Sequence, residues 1–504
     1  PSRGETAGRP PFAESAADRR IGPCAVKGAI RAMSTETQRA PRSGGAHMRD
    51  FTTGNIWQHI LAFSWPMFVG NLFQVLYNTV DSFWVGRYIG AEALAAVSVS
   101  VPIVFALVAL ITGLTMATTT LVAQYRGARD EEQVRRTVAN SIVLVTALGL
   151  VSTVVGYVWR VPILRLMQTP EEILEPATVY LGIFLLGLVP SFLYNVLSSI
   201  LRGLGDSQTP LRFLVYATVL NIVLDPLFIL GVGPLPPMGI AGVAWATLIS
   251  QTLATVLTFL HMERHTDLLP TERGQWRLEW RLARLLFTIG VPAAMQSTVV
   301  SFSMVVVTAL VNTFGPAVVA AFGAAGRVDQ FAFLPAMSIS LAVTALVGQN
   351  LGAGRYDRVR EIVLRSSILT AAITGTMTVV AVLQPTLLIQ VFIEDPAVLA
   401  EGARYLRIVG FNYVPLALMF IITGVLRGAG DTFVSMLISL VTLWIVRLPL
   451  AWFLSYGLSW GVTGTWWAIV LSTVLGLVLN WWYYRTGHWR RKVIVRPKLS
   501  PAEA

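Results

Sequence analysis

Apolar runs long enough to cross a lipid bilayer recur along most of the chain, separated by short polar stretches. A membrane helix needs about 20 consecutive apolar residues. Twelve such runs fall near 58–84, 94–120, 136–158, 177–201, 210–231, 239–261, 285–310, 318–347, 362–384, 403–426, 434–455 and 461–484. Hydrocarbon cannot satisfy free backbone amides, so these runs predict helices. The expected fold class is an all-α membrane protein with twelve transmembrane helices.

The polar connections between the runs repeat. LVAQYRGARDEEQVRRTV (121–138) resembles LVGQNLGAGRYDRVREIV (346–363), and LRGLGD (201–206) matches LRGAGD (426–431), both at a separation of 225 residues. GIAGVAWA (239–246) resembles GVTGTWWA (461–468) at a shift of 222, and Pro66 corresponds to Pro292. Spans 1–6 therefore duplicate spans 7–12. Six is even, so the halves share one orientation and form two six-helix lobes related by a pseudo-two-fold along the membrane normal. Lobes of this kind commonly enclose a central site and rock against each other. A duplicated scaffold without transport is the alternative.

This divides the chain into a disordered N-terminal extension (1–47), an N-lobe (48–261), a linker (262–284), a C-lobe (285–485) and a basic tail (486–504). The extension is rich in Arg, Pro, Gly, Ser and Ala without apolar periodicity, and Met33 or Met48 could begin the native chain. Near the linker, QWRLEWRLARLLF (275–287) sets Trp276, Trp280, Ala283 and Phe287 on one helical face and Arg277, Arg281 and Arg284 on another. That pattern predicts a short amphipathic helix lying in the membrane interface; a solvated charged loop is the alternative.

Charge placement gives the orientation. Loops after even-numbered spans, with the C-terminal tail, carry 22 Lys/Arg, and the opposite face carries five: Arg87, Arg160, Arg165, Arg404 and Arg407. The positive-inside rule then puts both termini in the cytoplasm. Only three of the 38 cations are Lys, a compositional hint of a GC-rich bacterial genome and hence of a multi-pass protein of the bacterial plasma (inner) membrane.

Composition removes several function classes. Of 504 residues 13% are charged and 54% are hydrophobic, whereas a soluble domain carries about 25% charged residues. The net charge of +11 sits in the extension, short loops and tail, with no basic face interleaved with aromatics, so no nucleic-acid partner is expected. The single cysteine, Cys24, lies in the extension and allows no intrachain disulfide. No Gly precedes any Lys, so there is no P-loop for a primary pump. GLSWG (457–461) matches a nucleophile-elbow pattern without the strand–turn–helix setting it needs. HMERH (261–265) is not the HExxH zinc signature and reads as a loop without metal. No enzyme activity, cofactor or metal is expected.

Ionisable groups inside spans are few: Asp81, Asp225, Arg327, Asp329 and Arg447. Such groups are costly in lipid and mark functional positions. Helical spacing puts Gln74, Asn78 and Asp81 on one face, Thr218, Asn221 and Asp225 on a second, and Ser191 and Asn195 on a third, all directed into the first half. Interhelical packing through polar groups is the alternative. The repeat weighs against it, because Asp81 aligns with Val306 or Val307, Asn195 with Phe420 and Asp225 with Leu448. Acids confined to one lobe suit ion coupling there. Pro66 removes a backbone hydrogen bond in the helix of Asp81, giving a hinge or a static kink. Arg327 and Asp329 are expected to be structural, paired with each other or near the lobe interface.

FSWPMFVGNLFQVLYNTVDSFWVGRYIG (63–90), the paired LRGxGD loops and NIVLDPLF (221–228) resemble the multidrug and toxic compound extrusion (MATE) family, over roughly residues 55–485. The first-lobe pattern is similar to the DinF-like branch. That resemblance implies a cation-coupling site at Asp81, Asn195, Asn221 and Asp225, a hinge at Pro66, and a substrate cavity lined by Gln74, Asn78 and Tyr180. The NorM-like branch uses a glutamate in the seventh helix, which span 7 here lacks. The implied activity is secondary antiport. Lipophilic, often cationic drugs or toxic metabolites leave by alternating access against H+ or Na+, through a monomer whose partners are small organic molecules and membrane lipids. One rival is a lipid or lipid-linked oligosaccharide flippase of the same superfamily, to which Arg327 and Arg447 could offer a cationic cavity. The other is a membrane-embedded enzyme, for which no catalytic constellation is present.

Overall fold

The computed structural model describes residues 48–231, 236–269 and 276–495; the extension 1–47 and the last residues of the tail lie outside it. Among the described residues every regular element is a helix. Eleven helices are long and apolar enough to cross a membrane, or twelve when one bent pair is taken as a single span.

The first half contains α1 (Ile56–Trp84), α2 (Ala91–Gly127), α3 (Glu131–Leu166), α4 (Glu171–Leu186), α5 (Leu188–Gly203), α6 (Gln208–Leu230) and α7 (Ile240–His265). The second contains α8 (Trp280–Asn312), α9 (Pro316–Gly352), α10 (Tyr356–Leu383), the short α11 (Pro385–Gln390), α12 (Pro396–Val409), α13 (Tyr413–Ala429), α14 (Thr432–Leu440), α15 (Leu448–Trp452) and α16 (Val462–Thr486). The duplication reaches the backbone: Gly205 and Gly430, one in each LRGxGD loop, have φ of 92° and 88°. Only glycine takes that conformation without strain. At Gly205 a Cβ would also stand 2.3 Å from the Arg49 carbonyl oxygen.

Three expectations change. Span 4 is not one straight helix, because α4 and α5 meet at 44° around Gly187. Pro190 has no N–H to give the Leu186 carbonyl, so the ladder fails there. Span 11 widens into π turns at Val441–Arg447 and Phe453–Gly457, on either side of the turn that holds Pro449. The amphipathic helix expected over 275–287 is not a separate element. Residues 276–279 are irregular, Glu279 is extended, and α8 starts at Trp280. The Glu279 amide donates to Asn140 Oδ1 at 2.7 Å, which fixes the entry of the helix. Its buried stripe is Leu282, Ala283, Leu286 and Ile289, while Trp280 remains 72% exposed. The helical periodicity was therefore real but belonged to the first turns of a transmembrane helix. Pro66 does not break α1, which is one helix of 29 residues.

The lobes interlock over part of their length. Phe51, Ile60, Phe63 and Met67 of the first half pack with Ile339, Val343 and Leu346 of α9. Leu282, Leu286 and Ile289 of α8 join the core built on α2. Backbones come very close. A Cβ on Gly113 would lie 2.2 Å from the Gly290 carbonyl oxygen, one on Gly127 1.9 Å from that of Gln349, and one on Gly352 1.9 Å from that of Gln124. Asn71 Nδ2 donates to Ser338 Oγ at 3.0 Å. Farther along, the same helices present exposed side chains: Gln74 and Leu76 on α1, Phe105 on α2, Met295 and Phe302 on α8, and Arg327 on α9. The lobes thus meet at the end holding Met48 and Val495 and part toward the other end.

Candidate functional site

The parting helices carry a polar cluster inside the first lobe. Asn221 and Asp225 stand one turn apart on α6, both fully buried. Asn221 Nδ2 donates to Asp225 Oδ1 at 3.2 Å. Asp81 reaches in from α1, and its carboxyl lies within hydrogen-bonding reach of that of Asp225. Two carboxyl groups can share a hydrogen bond only if one carries a proton. Three buried acceptor oxygens in this cluster, Asp81 Oδ1, Asn221 Oδ1 and Asp225 Oδ2, have no hydrogen-bond partner. Such orphans are costly away from water. Here they form one compact acceptor set, able to take a proton or a small cation.

Two tyrosines flank the acids. Tyr77 is buried and donates its hydroxyl to Thr247 Oγ1 at 3.0 Å. Tyr77 and Tyr180 both lie within electrostatic range of Asp81 and Asp225. Tyr180 is among the residues expected from the family resemblance and Tyr77 is not, although its four-residue spacing from Asp81 puts both on one helical face. Asn195 Nδ2 donates to the Ser191 carbonyl of its own helix at 2.9 Å. Gln74 and Asn78 are exposed on α1, so only Asp81 of that predicted stripe turns into the lobe.

The second lobe carries an acid, Asp329, within its spans, and its surroundings differ. Asp329 does not pair with Arg327, because residues two apart on a helix face different ways. Its carboxylate accepts from Tyr405 and Tyr413 hydroxyls, each at 2.6 Å. Arg327 is exposed, its guanidinium 5.7 Å from the Phe392 ring centroid. Arg447 donates to Ser472 Oγ at 2.8 Å and Thr473 Oγ1 at 3.0 Å. Both carboxylate oxygens of Asp329 thus meet donors, where Asp81 Oδ1 and Asp225 Oδ2 meet none. Tyr405→Phe and Tyr413→Phe should each destabilise the protein by about 1–3 kcal/mol, since each leaves a buried carboxylate oxygen short of a donor. Thermal unfolding in detergent measures the loss, and gradient-driven export should persist in both variants. HMERH forms the last turns of α7 rather than a loop, with the His261 and His265 rings stacked at 4.2 Å. Among the described residues no three His, Cys, Asp or Glu side chains cluster as a metal site.

The MatE family profile matches residues 66–227 and 292–453, one segment in each lobe and together more than half of the chain. This chain belongs to the MATE family. The family comprises transporters and not enzymes, which removes the membrane-embedded enzyme as a reading. A relative from Bacillus subtilis (strain 168), "Probable multidrug resistance protein YpnP", is 35% identical over 441 residues, covering 88% of this chain and 97% of the relative. "Probable multidrug resistance protein YoeA" of the same organism is 31% identical over 445 residues, covering 88% and 96%. The solved "Outward-facing conformation of a multidrug resistance MATE family transporter of the MOP superfamily" superposes with a TM-score of 0.82 at 23% identity, covering 89% of this chain and 100% of that one. At that identity the likeness carries the fold alone. In this MATE transporter the two matched segments are the two halves that the internal repeat defined.

Proposed function

We propose that this MATE transporter is a proton-coupled antiporter of the bacterial plasma membrane, exporting lipophilic organic cations and related small molecules by alternating access. The relatives named for multidrug resistance support the substrate class. The observation that carries the coupling is the Asp81–Asp225 contact with its three unpartnered acceptor oxygens. Two carboxyls in a water-poor site do not both carry charge readily, so the pair exchanges a proton as its access to water changes. A proton entering from the open side neutralises the pair and loosens its hold on Asn221. α1 then bends at Pro66, and the bound molecule leaves. A proton moving inward yields about 2.3 kcal/mol per 100 mV, and a pH unit adds about 1.4. Together these support a gradient of roughly 500-fold for a neutral substrate. Small changes of protonation can therefore drive useful efflux.

Two features of the site weaken the flippase reading. Of its two candidate cations, Arg447 is engaged by Ser472 and Thr473, and the acidic first-lobe cluster suits a cation. The deciding experiment is transport of a fluorescent lipophilic cation by purified protein in liposomes under imposed gradients. Export driven by a pH gradient in Na+-free buffer is expected. Export that needs a Na+ gradient at equal pH would assign the same acceptor oxygens to sodium.

A further inference from the structure

At the end where the lobes meet, two glutamines occupy equivalent places in the repeat. Gln124 on α2 and Gln349 on α9 are 225 residues apart, as are Gly203 and Gly428. Gln124 Nε2 donates across the interface to the Gly428 carbonyl at 2.9 Å, and Gln349 Nε2 donates to the Gly203 carbonyl at 3.0 Å. Each glutamine thus binds the last turn of a helix in the opposite lobe. Both are essentially fully buried.

Their carbonyl oxygens are occupied by the two ends of the described chain. Gln349 Oε1 accepts from the Phe51 amide at 3.0 Å. Gln124 Oε1 accepts from the Ile494 and Val495 amides at 3.0 and 3.3 Å. Each strap therefore crosses to the other half's glutamine. The N-terminal strap is held more firmly. Asn350 Nδ2 donates to the Phe51 carbonyl at 3.1 Å, Arg355 donates to that of Thr52 at 2.9 Å, and Arg358 donates to those of Phe51, Thr53 and Gly54. The Arg49 amide ties the same strap back to the Gly205 carbonyl at 3.3 Å. Asp50 shapes the turn by accepting from the Thr52 amide and hydroxyl. Burial pushes the Asp50 carboxyl up, but the Thr52 bonds and the Arg129 and Arg126 charges outweigh it and hold it below its usual value. Its contribution is therefore complete at neutral pH and is lost only as pH falls through that lowered value.

We infer that Gln124 and Gln349 are a paired latch whose two strapped amides keep this end of the transporter shut and must release for it to open. The inference rests on the alternating-access reading above, because a protein that never opens here needs no latch. A cross-lobe interface held only for stability would be served as well by apolar packing. Here four buried amide atoms instead bridge both lobes and both chain ends, and the two sets exchange partners by the repeat. Glutamine suits a latch because a single amide both donates to the facing helix and accepts from the strap.

The test uses the full chain with Cys24→Ser and a reporter, Thr120→Cys. Thr120 is buried between the lobes and donates to the Arg427 carbonyl at 2.9 Å. A control reporter, Ser250→Cys, sits in the buried face of α7, which packs on α4, α5 and α6 within the first lobe. Alkylation by N-ethylmaleimide is timed in liposomes without substrate or ion gradient. Gln124→Leu and Gln349→Leu should each speed labelling of Thr120→Cys about tenfold or more, the scale of the three and two hydrogen bonds they lose, while Ser250→Cys stays unreactive. Relative to the Gln349 background at the same pH, which cancels the thiol's own pH dependence, Gln349→Glu should speed labelling at high pH and not at low pH, since only the neutral carboxyl can still donate to Gly203. Unchanged rates at Thr120→Cys would overturn the latch. So would equal acceleration at both reporters, which would mean general loosening. Neither reading depends on coupling, so loss of proton-driven export with labelling as expected would reject the antiport mechanism and leave the latch standing.

Discussion

Asp225→Asn protein in liposomes should show no export that follows an imposed pH gradient, where the unaltered chain accumulates a monovalent cation up to roughly 10-fold per pH unit, since its one-for-one exchange with a proton moves no net charge. The substitution keeps the size of the side chain and the acceptor that Asn221 bonds at 3.2 Å, so α6 should fold as before. It removes the only property at issue, the ability to exchange a proton with Asp81. Asp81→Asn should behave the same way, because either change leaves one carboxyl without its partner. Substrate binding measured by fluorescence should persist in both. Gradient-driven export by Asp225→Asn at the unaltered rate would remove this pair from the mechanism. Asn195→Ala offers a contrast: its Nδ2 donates to the Ser191 carbonyl of its own helix and it carries no exchangeable proton for coupling, so export should continue.

The second large effect concerns the lobe crossing. Gly352→Ala should destabilise the protein by about 1–3 kcal/mol or more, the range for forcing an extra methyl into packed structure. The added Cβ would lie 1.9 Å from the Gln124 carbonyl oxygen, and backbone cannot swing aside as a side chain can. Gly127→Ala meets Gln349 at the same distance and should match it. Gly323→Ala, on the same helix as Gly352, meets nothing within 4 Å and should be neutral or slightly stabilising, since alanine favours helix over glycine by up to about 1 kcal/mol. Thermal unfolding of the three variants in detergent gives the comparison. Equal melting temperatures would mean that the crossing is looser than these distances state.

The spans and the duplication were legible because lipid imposes length and apolarity on every crossing helix, and because LRGLGD and LRGAGD preserve both sequence and glycine conformation. The acids were legible because a carboxyl in hydrocarbon is rare. What escaped were features that depend on partners. The bend at Gly187 needs the geometry around Pro190, not hydropathy. The stretch 275–287 had helical periodicity, but periodicity does not say whether a helix lies on the membrane or enters it. Tyr77 was overlooked because an aromatic in a span reads as lipid-facing, and only the Thr247 contact shows it turned inward. Arg327 and Asp329 looked like a pair in sequence and diverge on the helix. Gln124 and Gln349 stood in the repeat itself, yet their carbonyl partners lie far along the chain and carry no side-chain signature.

Because the lobes touch near one end only, α2 would work as a lever under the proposed alternating access. Its 37 residues include about 22 between the Gly113 crossing and Ala91, which at about 1.5 Å per residue is an arm of roughly 33 Å. A tilt of about 10° at the fulcrum would sweep the far tip through roughly 6 Å, about the diameter of an aromatic ring, from the same helical rise. Rearrangements of an ångström or less at the glycine contacts are therefore enough to admit or release a flat organic molecule at the mouth.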